Sequence, residues 1–235
     1  MTASKRNEKA VLVIGGTSGI GLETAKQFGK TRHVVIVGRN IGKISDEPGL
    51  AGTLRIPFDI CDRENLDGLL DSLRDIDIDT IVHCAGIFRT KNRDDDGYRK
   101  AYRDTKLGGV ELIRLLLKRR PGLVTHVCGV SSLYTFLPDR FAPMFEKEAQ
   151  REFEEAVLSL KDVIVNCVAP GLVRTPLAEA AYGEEGMKKI LSLAPGSRML
   201  EPAEIAKVIV FLSSQDEVTG AVIPVDGDYL KFLIR

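Results

Sequence analysis

The sequence has few of the residues that would build a metal site or a disulfide framework. Its 235 residues include only three histidines and four cysteines. The cysteines lie far apart and form no C-x-x-C pair, so we interpret them as reduced thiols and expect no bound metal. Reduced thiols are typical of a cytoplasmic protein.

Long hydrophobic runs are also absent. No span approaches the ~20 consecutive apolar residues that a transmembrane helix requires. The first ten residues are polar and contain no apolar segment of signal-peptide length. We therefore expect a cytoplasmic protein that does not bind a membrane.

Neither sign of charge is in excess. The 33 Lys and Arg residues balance 33 Asp and Glu residues, giving a formal net charge of +0 at pH 7. A nucleic-acid-binding domain usually carries a strong basic excess, so we expect no nucleic-acid partner. The balance is compatible with a protein that binds a small-molecule substrate.

Apolar runs rich in Val, Ile and Leu alternate with segments of helical periodicity. The runs are continuous, which predicts parallel strands covered on both faces, and their alternation with helices predicts one Rossmann-type doubly wound sheet of about seven strands. We expect a single nucleotide-binding domain over residues 1–235. The predicted strands cover residues 11–14, 34–37, 53–58, 80–84, 123–130, 163–168 and 221–225. The clearest predicted helices cover residues 20–28, 63–73, 98–118, 143–160 and 202–212.

A glycine-rich segment follows the first predicted strand directly and opens the first predicted helix. Its spacing over residues 15–21, G-x-x-x-G-x-G, differs from the G-x-G-x-x-G form. The physical purpose is the same, because the glycines permit a tight turn and a close approach of the backbone to a pyrophosphate at a helix N-terminus. The predicted nucleotide contacts of this turn are Gly15, Thr17, Ser18, Gly19, Ile20 and Gly21.

The end of the second predicted strand lacks the carboxylate that binds the ribose 2′-hydroxyl of NAD. The sequence there continues with Arg39 and Asn40. A guanidinium group suits a 2′-phosphate, because its planar array of donors matches phosphate oxygens. We therefore predict NADP(H) as the cofactor, with Arg39 and Asn40 at the adenosine end.

Further motifs occur in the order typical of one enzyme family, and the chain closely resembles a short-chain dehydrogenase/reductase over nearly its whole length. The matching segments are residues 14–21, 58–60, 83–86, 130–132, 166–176 and 219–227. The resemblance implies an oxidoreductase that binds a nicotinamide cofactor. It also implies further cofactor contacts at Asp59, Ile60, Cys84, Ala85, Gly86, Val130, Pro170, Gly171, Val173 and Thr175.

The chain departs from the family at the active site, which combines Asn, Ser, Tyr and Lys. Ser132 matches the Ser, but the family's spacing places Phe145 at the Tyr and Ala149 at the Lys. Both lie on an apolar stripe of the predicted helix 143–160, so we interpret the catalytic pair as lost. Thr105 matches the Asn position.

A shifted alignment does not restore the pair. Tyr134 has Pro138 four residues later, and Lys147 has Pro143 four residues before it. A positioned general acid contributes about 10²–10⁴ in rate, whereas orientation of the reactants can supply about 7–11 kcal/mol. Reduction of a carbonyl, imine or activated double bond is therefore weakened but still feasible.

Other side chains are weighed as substitutes. Ser132 and Tyr134 are the catalytic candidates, although an aromatic pocket wall is the simpler interpretation of Tyr134. Residues 177–193, which include Tyr182, match the family's substrate lid. Arg174 and Lys106 are interpreted as surface charges rather than anion contacts.

Two alternatives remain open beside an NADP(H)-dependent oxidoreductase. One is a non-redox catalyst of cyclisation or isomerisation built on the same fold, and the other is a catalytically silent nucleotide-binding subunit. The retained nucleotide motifs favour a bound cofactor, whereas the loss of the Tyr and Lys favours the alternatives. The resemblance also implies a homodimer or homotetramer.

Overall fold

Seven parallel strands form one sheet in a computed structural model that describes residues 9–194 and 198–233. The strand order is β3-β2-β1-β4-β5-β6-β7. The strands are β1 (Ala10–Ile14), β2 (His33–Gly38), β3 (Leu54–Pro57), β4 (Ile78–His83), β5 (His126–Val130), β6 (Ile164–Pro170) and β7 (Ala221–Val225). The predicted parallel sheet of seven strands is confirmed.

Helices cover both faces of the sheet and connect successive strands, except that β2 and β3 are joined by a segment with a short 3-10 helix at Ile41–Ile44. They are α1 (Gly19–Gly29), α2 (Leu66–Ser72), α3 (Asp96–Arg119), α4 (Met144–Leu158), α5 (Pro176–Ser192), α6 (Pro202–Leu212) and α7 (Tyr229–Leu233). Helices α1 and α6 pack on one face, and α2, α3 and α4 pack on the other. Because each central strand is covered from both sides, its residues are continuously apolar, and all five residues of β1 are buried.

The sheet reverses its direction of growth between β1 and β4. These two strands pair in parallel, and Ile14 at the end of β1 lies opposite His83 at the end of β4. The loops that follow the two strands therefore diverge and leave a crevice at the carboxyl edge of the sheet. Open α/β sheets bind their ligands at such a point.

The lid predicted over residues 177–193 forms most of α5, which is interrupted at Gly183, where φ is 63°. Strand β5 begins later than predicted, because a turn with Gly122 at φ 74° follows α3.

Within the described ranges, none of the helices is long and apolar enough to cross a membrane, and no His, Cys, Asp and Glu side chains gather into a metal-binding group.

Candidate active site

The glycine turn between β1 and α1 is folded tightly against the neighbouring loop. Gly15 adopts φ 82° and its amide donates to the carbonyl oxygen of Val37 at 2.8 Å. A Cβ atom on Gly15 would lie 2.5 Å from the amide nitrogen of Ala85, and one on Gly21 would overlap the Gly15 carbonyl oxygen. Both positions therefore require glycine, and the turn keeps the backbone exposed at the helix start.

The N-terminus of α1 is open for an anion. Ser18 precedes the helix in an extended conformation, and its side chain makes no capping hydrogen bond. The first amides of α1 thus keep their donors free, which is the arrangement that binds a phosphate. Thr17 lies beside Gly38, and Gly19 opens the helix at φ 53°. Ile20 reaches the cavity described below.

The residues predicted for the adenosine end lie outside that cavity, at the edge formed by β2 and β3. The Arg39 guanidinium is 3.9 Å from the Asp59 carboxylate, and the two side chains are 60% and 45% exposed. Asn40 is exposed directly after Arg39, whereas Ile60 is buried. Arg39 is therefore accessible to a ligand that follows the glycine turn.

The end of β4 joins the nucleotide turn to α3 through a buried histidine. Nε2 of His83 lies 2.8 Å from the carbonyl oxygen of Lys106, and Nδ1 accepts a hydrogen bond from the Ala85 amide at 3.3 Å. Burial lowers the pKa of His83 to about 3, so its ring is neutral at physiological pH. Cys84 donates its amide to Ile14 at 2.8 Å, which continues the β1–β4 pairing.

Two consecutive glycines let α3 approach this strand end. A Cβ atom on Gly108 would overlap the carbonyl oxygen of Ile60, and one on Gly109 would overlap the His83 ring. Paired glycines inside a helix destabilise it and usually indicate such close packing. The approach places Lys106, which lies three residues before Gly109, against the crevice.

A cavity of about 390 Å³ opens at the carboxyl ends of β4, β5 and β6. One side is formed by residues predicted to hold the nicotinamide, and the other by aromatic and aliphatic side chains of α3, α5, α7 and the loops. The lining residues on the nucleotide side are Ile20, Cys84, Gly86, Val130, Pro170, Gly171, Val173 and Thr175. The other side includes Phe88, Tyr102, Leu137, Phe141, Leu177, Ile190 and Tyr229.

The segment after β6 forms the entry to α5. The Gly171 amide donates to the Val225 carbonyl at 2.9 Å, and Val173 bridges to Leu200. The Thr175 hydroxyl accepts from the Ala178 amide and caps α5. Arg174 points away and lies 3.1 Å from Glu201, in agreement with its interpretation as a surface charge.

Both catalytic candidates line the cavity. The Ser132 hydroxyl oxygen accepts from the Tyr134 amide at 3.3 Å, which leaves its own proton free to donate. The Tyr134 hydroxyl lies 2.7 Å from that of Tyr182 on α5. Burial raises the pKa values of both tyrosines, so neither is a strong acid.

Phe145 and Ala149 do not face the cavity. They pack in a separate cluster with Tyr98 and Tyr102, between α3 and α4. The spacing predicted that Phe145 and Ala149 occupy the positions of the catalytic Tyr and Lys. That prediction is wrong for their location, because both residues lie on the face of α4 that packs against α3. Gln150 is the residue within α4 that reaches the cavity.

Pro143 directly precedes α4 and also lines the cavity. Lys147 points elsewhere, with its ammonium bonded to the Leu137 carbonyl and 2.5 Å from Asp139. The cavity is therefore lined by Gln150 and not by Ala149, a difference of one position along the helix. Spacing along the chain does not predict which of two neighbouring positions faces the cavity.

Thr105 does not line the cavity either. Its hydroxyl donates to the Ala101 carbonyl at 2.7 Å and lies 3.4 Å from the Cys61 thiol. The interpretation of Lys106 as a surface charge is wrong, because only 6% of the residue is exposed. Its ammonium donates to the Val130 carbonyl at 2.7 Å and lies 4.7 Å from the ring centre of Phe153.

Sequence reasoning missed this lysine although a signal was present. Gly108 and Gly109 indicate a helix that packs close to its neighbours, and Lys106, three residues before Gly109, lies on the same helix face as that glycine. Burial lowers the pKa of Lys106 to about 8. The lysine is therefore partly neutral in mildly alkaline solution.

A buried polar network lies beside the cavity. Gln150 donates from Nε2 to the Tyr102 hydroxyl at 2.6 Å and accepts from Ser131 at 3.3 Å. The single Ser131 proton is shared with the Glu154 carboxylate, whose oxygen is the nearer acceptor at 2.5 Å. These bonds fix Gln150, so its amide forms a rigid part of the cavity wall.

Sequence comparison agrees with this architecture. The short chain dehydrogenase family matches residues 9–186, and the Enoyl-(Acyl carrier protein) reductase family matches residues 156–229. The chain is 32% identical to an NADP-dependent (R)-specific alcohol dehydrogenase of Lentilactobacillus kefiri, over 94% of this chain and 96% of the relative. It is 29% identical to a 3-oxoacyl-[acyl-carrier-protein] reductase of Thermotoga maritima, over 93% and 96%.

Comparison with solved structures supports the same fold. A short chain dehydrogenase family protein from Francisella tularensis superposes with a TM-score of 0.81 at 22% sequence identity, covering 95% of this chain and 99% of that one. The order of the strands, the glycine turn and the match over most of the sequence lead to one conclusion. The chain belongs to the short-chain dehydrogenase/reductase family of oxidoreductases, which bind nicotinamide cofactors.

Proposed function

We propose that this protein is an NADP(H)-dependent oxidoreductase that reduces a carbonyl, imine or activated double bond of a small apolar molecule. The observation that carries this proposal is the cavity shared by Gly86, Pro170 and Gly171 on one side and by aromatic side chains on the other. A substrate among those rings would contact the reactive end of a dinucleotide laid along the strand ends.

The residues present fit such a dinucleotide. Side chains at Gly15 or Gly21 would fill the space in the turn, and the free amides of α1 suit a pyrophosphate. Arg39 is exposed at the strand end beyond the turn and suits a 2′-phosphate. The Lentilactobacillus relative is NADP-dependent by name, which supports the same preference. When bound, the cofactor supplies the hydride.

The chain itself supplies orientation and shielding. The free proton of the Ser132 hydroxyl is available to a substrate oxygen in the cavity. Helix α5 covers the opening, held by the Tyr134–Tyr182 bond and by the Thr90 hydroxyl, which donates to the Ala181 carbonyl at 2.5 Å. A closed lid excludes water and holds the reactants in a productive arrangement.

The wall composition favours an aromatic or branched aliphatic substrate. Phe88 packs against Tyr134 and Tyr182 at ring-centre distances of 6.1 and 5.3 Å. The cationic Arg93 that stacks on Phe88 lies 3.5 Å from the buried carboxylate of Glu146, which neutralises it. We therefore propose uncharged ketones or aldehydes with an apolar body.

Two measurements test the proposed function. Calorimetric titration of the purified protein with NADPH and with NADH should give a lower dissociation constant for NADPH. NADPH oxidation should then be followed across aromatic ketones, aliphatic ketones and 1,2-diketones. Equal affinity for the two cofactors would contradict the NADP(H) assignment.

A non-redox reaction is the second candidate, because Pro143 before α4 and Gln150 within it line the cavity instead of an acid–base pair. A protein that binds NADPH tightly and oxidises it with none of these carbonyl compounds would favour this candidate. A protein that binds neither cofactor would contradict both the reductase and the silent nucleotide-binding subunit.

A further inference from the structure

Lys106 differs from the other charged side chain of the cavity. Of the two cationic residues that line it, Arg93 lies 3.5 Å from Glu146. Lys106 has no carboxylate within ion-pair distance among residues 9–194 and 198–233. Its ammonium uses one donor on the neutral carbonyl of Val130, at 2.7 Å. Two N–H groups are left for another acceptor.

The lysine lies at the boundary between the two sides of the cavity. A Cβ atom on Gly86 would lie 3.6 Å from its Nζ, and Val130 belongs to the same nucleotide-side wall. The carbonyl oxygen of Lys106 is hydrogen-bonded to Nε2 of His83, and Nδ1 of the same ring accepts a hydrogen bond from the Ala85 amide. The ammonium is thus anchored to the loop that we predict to contact the nicotinamide end.

The remaining cavity hydroxyls are poor acids. Burial raises the pKa of the Tyr102 hydroxyl far above its ordinary value, and it raises those of Tyr134 and Tyr182 as well. The hydroxyl of Ser132 is free to donate but is not acidic near neutral pH. Lys106 is the cavity group that can release a proton in that range.

We propose that Lys106 is the catalytic acid of this site and donates a proton to the substrate oxygen. The inference rests on the proposed reductase function. In the reduction of a ketone by the reduced nicotinamide, the carbonyl carbon gains a hydride and the electron pair of the C=O π bond moves to oxygen. The ammonium of Lys106 gives that oxygen a proton and becomes a neutral amine. Solvent then returns the proton, and the products are the alcohol and the oxidised nicotinamide.

The surroundings of Lys106 determine the pH range in which its side chain carries the proton to be donated. Burial is the largest influence and lowers the pKa of its ammonium to about 8. The titratable groups that face it are Cys84 and His83 at the end of β4, Cys167 on β6 and Glu154 on α4. His83 remains neutral, and burial keeps both thiols protonated by raising their pKa values to about 12. The acid form therefore predominates below pH 8.

The test compares Lys106→Met, Lys106→Arg and wild type in the full chain. Lys100→Met is the matched control, since Lys100 lies on the same helix and its side chain is 79% exposed. NADPH oxidation with benzil and acetophenone is measured from pH 6 to pH 10. Competitive acetylation with acetic anhydride, followed by peptide mass spectrometry, reports the pKa of each lysine without any turnover.

Wild type should react fastest below pH 8 and lose about tenfold in rate per pH unit above it. Lys106→Met should lower the rate by about 10²-fold or more and abolish that pH dependence, since a general acid is worth about 10²–10⁴. Lys106→Arg should be equally slow, because guanidinium does not release a proton. All variants should bind NADPH within threefold of wild type, and Lys100→Met should match wild type throughout.

Three outcomes would overturn the inference. Wild-type activity with an unchanged rate and pH profile in Lys106→Met would remove Lys106 from the chemistry and leave the reductase function intact. Acetylation of Lys106 with the pKa of exposed lysines would show that it is not a buried acid. Failure of wild type to oxidise NADPH with either compound or the wider carbonyl set would instead contradict the proposed function on which the inference rests.

Discussion

The hydroxyl groups of Tyr134 and Tyr182 lie 2.7 Å apart and join the loop after β5 to helix α5. The two residues are 48 positions apart in the chain, and both line the cavity. Phe88 packs on both rings. The relationship makes α5 a lid over the cavity, and the hydroxyl pair within an aromatic cluster is one of the polar contacts that hold it.

Removing one of these hydroxyls should loosen the lid without unfolding the protein. Tyr182→Phe is expected to lose about 0.5–1.5 kcal/mol of unfolding free energy, the usual net contribution of one hydrogen bond. Urea denaturation measures it. Tyr134→Phe with Tyr182→Phe forms a double-mutant cycle in which the second substitution should cost little. Full additivity of the two losses would show that the hydroxyls do not interact.

The glycine turn should be needed for the nucleotide more than for the fold. Gly19→Val places a branched side chain at φ 53° beside Thr175 and should weaken NADPH binding by at least tenfold in calorimetry. Gly122→Val is the matched control, because Gly122 has φ 74° with nothing near its Cβ position. Retained NADPH binding in a folded Gly19→Val protein would show that the turn is purely structural.

The cofactor preference should depend on Arg39. Arg39→Asp is expected to reduce the preference for NADPH over NADH by about 1.5–3 kcal/mol, the range for hydrogen bonds to a charged group. The two dissociation constants give this value directly. Lys43→Asp introduces the same change of charge four residues later on the exposed surface and should preserve the preference. An unchanged preference in Arg39→Asp would remove the guanidinium from the site.

Restoring the family's Tyr and Lys by spacing alone should fail. Ala149 is 3% exposed in the cluster with Tyr98 and Tyr102, so Ala149→Lys buries an ammonium and should destabilise the protein by about 3 kcal/mol or more. Phe145→Tyr should change stability little and should not raise carbonyl reductase activity, since its ring packs beside α3. A tenfold gain of activity in the double variant would contradict the orientation of α4, in which Phe145 and Ala149 pack against α3.

The stability of the protein should reveal the buried charge of Lys106. Its pKa is lowered from 10.5 to about 8, so below pH 8 the folded state carries the whole cost of burying the ammonium. Above pH 10.5 the amine is neutral in both states and the cost is gone. The unfolding free energy of wild type relative to Lys106→Met should thus rise by about 3 kcal/mol between these pH values.

Urea denaturation of both proteins at half-unit intervals from pH 7 to pH 10.5 checks this prediction. Groups that titrate equally in the two proteins cancel in the difference. A constant difference across the range would show that Lys106 has the same pKa in the folded and unfolded chains.

The sheet and the nucleotide turn follow from local patterns in the sequence. Continuous apolar runs are required of strands buried on both faces, and glycines at positions such as Gly15 and Gly21 are required by backbone geometry alone. Helix α6 and strand β7 were predictable to the residue, because a proline begins the helix and turn residues flank the strand. These signals act within a few residues, so the chain carries them without its neighbours.

The cavity was decided by the tertiary structure. Helix α4 is buried on more than one side, so its apolar stripe does not indicate which positions meet α3 and which meet the ligand, and Phe145 turned toward α3. Lys106 turned inward because Gly108 and Gly109 bring α3 against His83 and Ile60. Whether a lysine is a solvated charge or a buried acid depends on the distance between two packed elements, and spacing along one element does not contain that distance.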